Sequence, residues 1–330
     1  MLKIGSLILE VPFIQAPLSG YSDYAMRRLG LDFGVPLTFS GVILAKSAAH
    51  PKLLRNPAFK PHDDEHPVGA QILGNDPATM AKAARALEGA GYDLIDLNFA
   101  CPAPKVVRRR RGGYLLKEPE TVRQIYSRVR EAVSCPVTMK LRTGLDSSRE
   151  SYDNFHKIVF DASQQKIDAL TIHARTVVQK FTGDVDWDFI AEIKHRFEGI
   201  TIIGSGDLFE VKTTIQRLKT AKIDGVLIAR GAIGNPWIYK SLNAVLAGLP
   251  EPGTPTLAEQ AEVMQRHFEM ICRLYEPIKA IRYFRKFLIR YCKLHPRRKQ
   301  AQKALLAAKN KSDFLIEMKR WYENHDSVRE

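Results

Sequence analysis

Eight short apolar segments rich in β-branched residues recur along the first 230 residues of the chain, and segments of helical periodicity separate them. The eight segments are 11–17, 36–43, 67–73, 93–99, 136–142, 169–175, 200–206 and 225–230. Continuously apolar strands are typical of a parallel sheet whose faces are covered by helices. Eight such units predict a closed (β/α)8 TIM barrel of the α/β class. An open doubly wound sheet is the alternative, but no Gly-x-Gly-x-x-Gly motif follows the first segment.

The pattern changes near residue 250. Pro and Gly cluster in the segment 247–260, where Thr256 is a residue type that caps helix N-termini. No strand pattern follows, so the remaining residues are predicted to form helices only. We expect a barrel domain over residues 1–248 and an all-helical domain over residues 249–330.

The central helix of the second domain is predicted to have one buried stripe and one basic stripe. The buried stripe consists of Ile281, Phe284, Leu288 and Tyr291. The basic stripe includes Arg282, Arg285, Lys286 and Arg290. Residues 282–311 contain eleven Lys or Arg and no Asp or Glu, in a chain of formal net charge +14. Such clustering is typical of a surface that binds nucleic-acid phosphates, although solvated charge without a partner is the alternative.

Composition excludes several classes of protein. The hydrophobic content is 45%, as in a folded globular protein, and no apolar run of membrane-spanning length or leader-like N-terminus is present. Cys101, Cys135, Cys272 and Cys292 form no Cys-x-x-Cys pair, which disfavours zinc, iron-sulfur clusters and disulfides. We expect a cytoplasmic protein without a metal site.

In a barrel of this type the active site lies at the C-terminal ends of the strands. Polar residues end several of the predicted strands: Gln71, Asn98, Lys140, Arg142, His173 and Arg175. An unpaired buried polar group costs about 1–3 kcal/mol, so a polar ligand across the barrel mouth would satisfy them.

The last two strands are followed by glycine-containing loops, 204–207 and 229–235. Such loops suit a phosphate, although tight turns that need glycine are the alternative. With Lys140 and His173 reaching in from the neighbouring strands, the pattern favours flavin mononucleotide (FMN) as the ligand.

Seven motifs carry a family resemblance. They are "APLSGYSD", "GAQILGNDP", "DLNFACPAPKVV", "PVTMKLRTG", "LTIHARTVVQKFTGDVDW", "IIGSGD" and "ARGAIGNPW". In order and spacing the chain resembles the tRNA-dihydrouridine synthases, and is most similar to their bacterial B-type branch, closely over residues 10–245. The resemblance implies an FMN enzyme that uses NADPH to reduce uridine in folded RNA to dihydrouridine. The expected RNA is tRNA, and rRNA is the alternative. A monomer is expected.

The resemblance also implies roles for individual residues. Cys101 would donate a proton to uracil. The flavin ring and ribityl chain would contact Ala16, Pro17, Leu18, Gln71, Lys140 and His173. The phosphate would contact Ser205, Gly206, Asp207, Ala229 and Arg230. Asn98 and Arg175 would position the uracil or the flavin.

Three single positions and one loop depart from the family pattern. Most members have Asn in place of Ser205, and Gly in place of Ala229 and Ala100. Where the family has a modestly basic loop, this chain has Arg108, Arg109, Arg110 and Arg111. We expect this run to bind RNA and to point away from Cys101, because nearby cations favour the thiolate; a solvated charge run is the alternative. Tyr114 either stacks on a base or packs under the loop.

The chemistry explains the choice of cysteine. Reduction of the uracil C5=C6 bond requires a hydride at C6 and a proton at C5, and a thiol stays protonated near neutral pH where a carboxylic acid does not. Two alternatives remain open from the sequence. One is a catalytically inactive RNA-binding or assembly factor on the same scaffold, and the other is an FMN oxidoreductase of a free pyrimidine.

Overall fold

The computed structural model describes residues 1–48, 50–54, 56 and 58–323. Its strands are β1 Leu2–Ile4, β2 Leu7–Leu9, β3 Phe13–Gln15, β4 Thr38–Phe39, β5 Ile43–Leu44, β6 Val68–Leu73, β7 Leu94–Phe99, β8 Val137–Arg142, β9 Ala169–His173, β10 Ile202–Ser205 and β11 Gly225–Ile228. Eight of them pair in parallel in the order β3-β11-β10-β9-β8-β7-β6-β4. The Gln15 N–H donates to the Leu37 carbonyl at 3.0 Å, which links β3 to the segment that enters β4.

The predicted barrel is confirmed, and each of the eight barrel strands lies inside a predicted segment. The segment 36–43 is divided, because the Gly41 N–H turns away from the barrel ladder and donates to the Ser22 carbonyl at 3.0 Å. The chain then pairs again with the end of β6 through β5. The β1–β2 hairpin, which the sequence pattern did not predict, is antiparallel and turns at Gly5 with φ +57°.

Helices follow most of the barrel strands, and among the described residues no strand comes after β11. They are α1 Tyr24–Asp32, α2 Ala45–Ala48, α3 Pro51–Leu54, α4 Pro77–Glu88, α5 Pro104–Val107, α6 Pro119–Ala132, α7 Arg149–Gln164, α8 Trp187–Arg196, α9 Val211–Ala221, α10 Trp237–Leu246, α11 Leu257–Leu274, α12 Pro277–Tyr291, α13 Arg298–Ala307 and α14 Lys311–Tyr322. The predicted cap at Thr256 is confirmed, since its hydroxyl accepts from the Glu259 N–H and the Glu259 carboxylate accepts from the Thr256 N–H.

By packing, the chain forms two compact units. One contains residues 1–27 and 35–230, and the other contains residues 28–34 and the chain from 231 onward. The predicted division into domains 1–248 and 249–330 assigns a function to each part and stays a prediction. Within the second unit, the predicted apolar stripe of α12 is buried, and Phe268 packs on Phe284 with ring centroids 5.0 Å apart.

Two negative findings hold for the described part of the chain. None of its helices has the length and apolar character needed to cross a membrane. Within the same residues, no three His, Cys, Asp or Glu side chains are grouped so that they could hold a metal ion.

Candidate active site

Three neighbouring barrel strands carry polar side chains at the same level of the barrel. The register pairs Gln71 of β6 with Asp96 of β7, Asp96 with Thr138 of β8, and Asn98 with Lys140. Gln71, Asp96, Asn98 and Thr138 are all at most 5% exposed. Because buried polar groups require partners, their hydrogen bonds define the centre of the site.

These side chains form a continuous hydrogen-bonded chain. The Thr138 hydroxyl and the Gln71 Nε2 each donate to the Asp96 carboxylate at 2.6 Å. The Asn98 Nδ2 donates to the Gln71 Oε1 at 2.6 Å. The Asn98 Oδ1 accepts the backbone N–H groups of Ala100 at 3.1 Å and of Cys101 at 3.0 Å. The chain therefore runs from the barrel interior to the loop that carries Cys101.

The loop from Cys101 to Gly113 folds back on itself. The Gly113 N–H donates to the Cys101 carbonyl at 3.1 Å. A Cβ added at Gly113 would lie 2.3 Å from a Val177 methyl, and one added at Gly112 would lie 3.0 Å from the Cys101 Cβ. Only glycine allows such close contacts, so Gly112 and Gly113 pack directly against Cys101. The thiol-bearing residue itself is half-buried.

Lys140 presents a buried amine beside this chain. The residue is partly exposed, but its Nζ atom is buried and has no hydrogen-bond partner among the described residues. Burial lowers the pKa of Lys140 to about 8, while the charge of the nearby Asp96 carboxylate opposes the shift. An amine in this state would gain from an acceptor brought by a ligand.

A second polar cluster surrounds His173. Burial and the cations Lys140, Arg142 and Arg175 lower the pKa of His173 to about 2, so its imidazole is neutral near pH 7. The Arg175 Nη1 lies 3.4 Å from the His173 Nε2, and because a guanidinium only donates, Nε2 is the acceptor nitrogen. Arg142 donates instead to backbone carbonyls, including that of Ala100 at 3.0 Å.

The loops after β10 and β11 are joined by one carboxylate. Asp207 accepts from Arg230 at 2.8 Å and also accepts from Arg175. Asp207 has a left-handed φ of +51°, and the preceding Gly206 has φ +127°. A Cβ at Gly206 would lie 2.7 Å from a Val185 methyl, so the turn requires glycine. Ser205 is buried, whereas Ala229 and Arg230 are half-buried.

The loop after β3 is held by a hydroxyl. Ser22 donates to the Ala16 carbonyl at 3.2 Å and accepts the Leu18 N–H at 2.9 Å. Ala16 and Pro17 are buried and Leu18 is half-buried. Gln71 and Lys140 lie in the C-terminal halves of β6 and β8, and this loop, His173 and the loops after β10 and β11 lie at the C-terminal end of the barrel.

The four arginines of the run 108–111 differ in their exposure and in their contacts. Arg108 and Arg109 are exposed and Arg111 is half-buried. Arg110 donates to Glu118 at 2.6 Å, and its guanidinium lies 5.3 Å from the centre of the Tyr114 ring. The expectation that all four arginines bind RNA stays a prediction, and an RNA phosphate would have to compete with Glu118 for Arg110.

The basic stripe of α12 also contains members with contacts inside their own unit. Arg282 is exposed. Arg285 donates to the Ala308 carbonyl at 3.0 Å, and the Lys286 Nζ lies over the Tyr283 ring. Arg290 is half-buried. A role of these residues in binding RNA stays a prediction.

Comparison with known proteins identifies the family. Residues 14–325 match the family model described as dihydrouridine synthase (Dus). The chain belongs to the dihydrouridine synthase family. The resemblance inferred from the motifs is thereby confirmed.

Relatives named as tRNA-dihydrouridine synthases match this chain over most of its length and most of their own. A probable tRNA-dihydrouridine synthase of Rickettsia conorii is 34% identical over 277 residues, covering 83% of this chain and 82% of its own length. The tRNA-dihydrouridine synthase B of Pasteurella multocida is 34% identical over 294 residues, covering 88% and 86%.

Solved structures show the same barrel at low sequence identity. Morphinone reductase is 15% identical with a TM-score of 0.54, over 77% of this chain and 90% of that protein. Histamine dehydrogenase from Rhizobium sp. 4-9 is 16% identical with a TM-score of 0.60, over 82% of this chain, and the match spans 50% of that protein. At such identity the likeness shows the fold alone.

Three residues of the site, Asp96, Thr138 and Phe181, were not predicted from the sequence. Asp96 and Thr138 lie within strands that were interpreted as apolar, although Asp96 precedes Asn98 by two residues and therefore shares its face. Phe181 is 52% exposed and lies 4.3 Å from the Arg230 guanidinium, measured to the ring centre. No local pattern marks Phe181, because its contact depends on the fold.

Proposed function

We propose that this protein is an FMN- and NADPH-dependent tRNA-dihydrouridine synthase that reduces the C5=C6 bond of uridine in folded RNA. The family match and the names of the relatives support the reaction and the substrate. The observation that carries the proposal is the hydrogen-bonded chain from Asp96 through Gln71 and Asn98 to the loop of Cys101. It holds a thiol at the rim of a polar barrel mouth.

The residues at the mouth fit FMN. The buried Lys140 amine lacks an acceptor among the described residues, and the pyrimidine edge of a flavin, which becomes anionic on reduction, would provide one. Gln71, His173 and the loop Ala16–Leu18 would contact the ring and ribityl chain. The phosphate would be bound by Ser205, Gly206, Asp207, Ala229 and Arg230. When bound, the flavin supplies a hydride to uracil C6.

Cys101 completes the reaction from the protein side. Its thiol donates a proton to uracil C5 while C6 receives the hydride, so that one C–H bond forms at each carbon and the π bond is lost. The resulting thiolate takes a proton from solvent, which reaches this half-buried residue. Asn98 keeps the cysteine backbone fixed during the transfer through its hydrogen bond to the Cys101 N–H.

The RNA would be held by basic residues outside the mouth. A uridine in folded RNA is stacked or paired, and presenting it to the barrel requires binding energy from phosphate contacts. Arg108 and Arg109 in the barrel unit, and Arg282 in the helical unit, expose their charge for this role. Arg285 and Lys286 would contribute after giving up contacts within their own unit, and the half-buried Arg290 would contribute as well.

The experiment compares cysteine variants on unmodified tRNA. Purified protein, FMN and NADPH are incubated with tRNA transcribed in vitro, and dihydrouridine is measured by mass spectrometry of nucleosides. We expect Cys101→Ala to lose activity by about 100-fold or more, as for removal of a general acid. The matched control is Cys135→Ala, a half-buried cysteine that follows α6 at the other end of the barrel.

Three results would contradict the proposal. Wild-type activity of Cys101→Ala would remove the acid role. A purified protein without flavin absorbance would favour the inactive RNA-binding factor. Turnover of free uracil or orotate in the absence of RNA would favour the free-pyrimidine oxidoreductase. Substituting NADH for NADPH, and replacing tRNA with rRNA, tests the reductant and the substrate in the same assay.

A further inference from the structure

Asp96 is a buried carboxylate to which the proposed reaction gives no direct role. It is 4% exposed in the middle of β7, and burial raises its pKa, whereas hydrogen bonds from Thr138 and Gln71 and the charge of Lys140 oppose that shift. It forms no ion pair within 4 Å among the described residues. Its contacts are those two donors, each at 2.6 Å.

We propose that Asp96 is a positioning residue whose carboxylate fixes the orientation of the Gln71 and Asn98 amides and, through them, the loop that carries Cys101. The proposal rests on the proposed function for its catalytic consequence. Its geometric basis is independent of that function.

The argument uses the direction of each hydrogen bond. Both Asp96 oxygens act as acceptors, one for Thr138 and one for Gln71, so Gln71 turns its Nε2 toward Asp96 and its Oε1 toward Asn98. At the other end the backbone N–H groups of Ala100 and Cys101 only donate, so Asn98 must turn its Oδ1 toward them and its Nδ2 toward Gln71. The two ends demand the same arrangement. A donor in place of Asp96 would reverse Gln71 and set its Nε2 against the Asn98 Nδ2.

Thr138 provides the means to test this chain. In Asp96→Asn, the new amide can turn its oxygen toward Gln71 if its NH2 group finds an acceptor on the other side, and the Thr138 hydroxyl is such an acceptor. In Thr138→Val, the original Asp96 still accepts from Gln71. Each single variant therefore keeps the series of hydrogen bonds from residue 96 through Gln71 and Asn98 intact. In Asp96→Asn/Thr138→Val the NH2 group has no acceptor beside Val, so it either stays unpaired there or turns toward Gln71 and reverses its amide, and both outcomes disturb the hydrogen-bonded chain.

The test is a double-mutant cycle with two readouts on the FMN-loaded protein. The first is kcat and KM for tRNA, and the second is the rate at which iodoacetamide alkylates Cys101, followed by mass spectrometry of its peptide. We expect each single variant to lower kcat by about 3-fold or less and the double variant to lower it by about 30-fold or more, with KM within about 2-fold. The alkylation rate of Cys101 should change in the double variant and not in the single variants.

Matched controls separate positioning from general damage. Asp76 and Thr79 form the same carboxylate–hydroxyl pair at the start of α4, where Asp76 caps the helix. Asp76→Asn/Thr79→Val should leave kcat and the alkylation of Cys101 within about 2-fold of wild type. The rate of NADPH oxidation by the bound flavin does not need Cys101, so in the double variant it should fall by much less than kcat, even though Gln71 and Lys140 lie beside Asp96 as well as at the proposed flavin site. If the double variant does not fold, Thr138→Ala replaces Thr138→Val.

Multiplicative effects of the two substitutions on kcat would overturn the proposal, as would an unchanged alkylation rate in the double variant. A loss that appears equally in kcat, KM and NADPH oxidation would also overturn it, since it would indicate a merely structural role. If the wild type forms no dihydrouridine, the proposed function fails. The alkylation readout then still decides whether Asp96 positions the loop.

Discussion

Lys140→Met removes a buried amine and keeps a side chain of similar length. Burial lowers the pKa of Lys140 from 10.5 to about 8, so the unfolded chain holds this proton more tightly than the folded chain between these two values. Stability of the flavin-free wild type should therefore rise with pH through this window. Integrated from pH 7 to pH 9.5, the contribution of this one group is about 2 kcal/mol.

The assay is the free energy of unfolding from urea titrations at a series of pH values. The quantity that matters is the difference between wild type and Lys140→Met, because contributions of unaffected groups cancel in it. That difference should move in favour of the wild type by about 2 kcal/mol between pH 7 and pH 9.5. Parallel curves for the two proteins would refute the reasoning, since they would show that Lys140 is not held in a desolvated state.

The same variant reports on the ligand. A charge-assisted hydrogen bond contributes about 1.5–3 kcal/mol, so Lys140→Met should weaken FMN binding by between about 10- and 150-fold. Lys194→Met is the matched control, because the Lys194 Nζ already donates to Asp224 at 3.0 Å and to the Ile200 carbonyl at 3.1 Å. It should keep wild-type affinity for FMN. Equal losses of affinity in both variants would indicate a general effect on the barrel.

Three further outcomes follow from the geometry. Gly113→Ala should cost about 1–3 kcal/mol of unfolding free energy because its Cβ would lie 2.3 Å from a valine methyl, whereas Gly199→Ala, which meets nothing within 4 Å, should stay within about 0.5 kcal/mol. Burial lowers the pKa of His267 to about 3, so on acidification the unfolded state takes up a proton at this histidine before the folded state does. At pH 5.5 the free energy of unfolding of the wild type should therefore have fallen by about 1.4 kcal/mol more than that of His267→Gln. Changing Arg108 and Arg109 to Gln should reduce the slope of log tRNA affinity against log salt by about 1 to 2, and an unchanged slope would contradict their role.

The barrel was predictable because its signal is local. A strand such as β11 is a short apolar run that contains the β-branched residues Val226 and Ile228, and a segment of helical periodicity follows it, so the pattern repeats from unit to unit. The division of segment 36–43 was not predictable, since the bond from Gly41 to Ser22 joins residues whose proximity only the fold creates. The same holds for the β1–β2 hairpin, whose strands have three residues each.

The site was predictable in its positions and not in its pairings. Polar residues at strand ends identified Gln71, Asn98, Lys140 and His173 as neighbours, because the strand ends of a barrel meet at one face. The pairing of Arg110 with Glu118 could not be inferred from composition, and it divides an arginine run that is uniform in sequence. Asp96 was overlooked because one acidic residue does not alter the apolar average of its strand.

The balance of charge at the barrel mouth bears on what the site binds. Lys140, Arg142, Arg175 and Arg230 are grouped there, and burial with the charges of neighbouring arginines lowers the pKa of Arg142 to about 10. Asp207 compensates two of the arginines, the buried Asp96 side chain lies near Lys140, and His173, being neutral, adds no charge. Cations held together in a desolvated site repel one another and reduce stability unless an anion joins them. A ligand with a phosphate at one end and a ring that becomes anionic at the other would relieve this repulsion in two places, whereas a neutral pyrimidine alone would relieve it in neither.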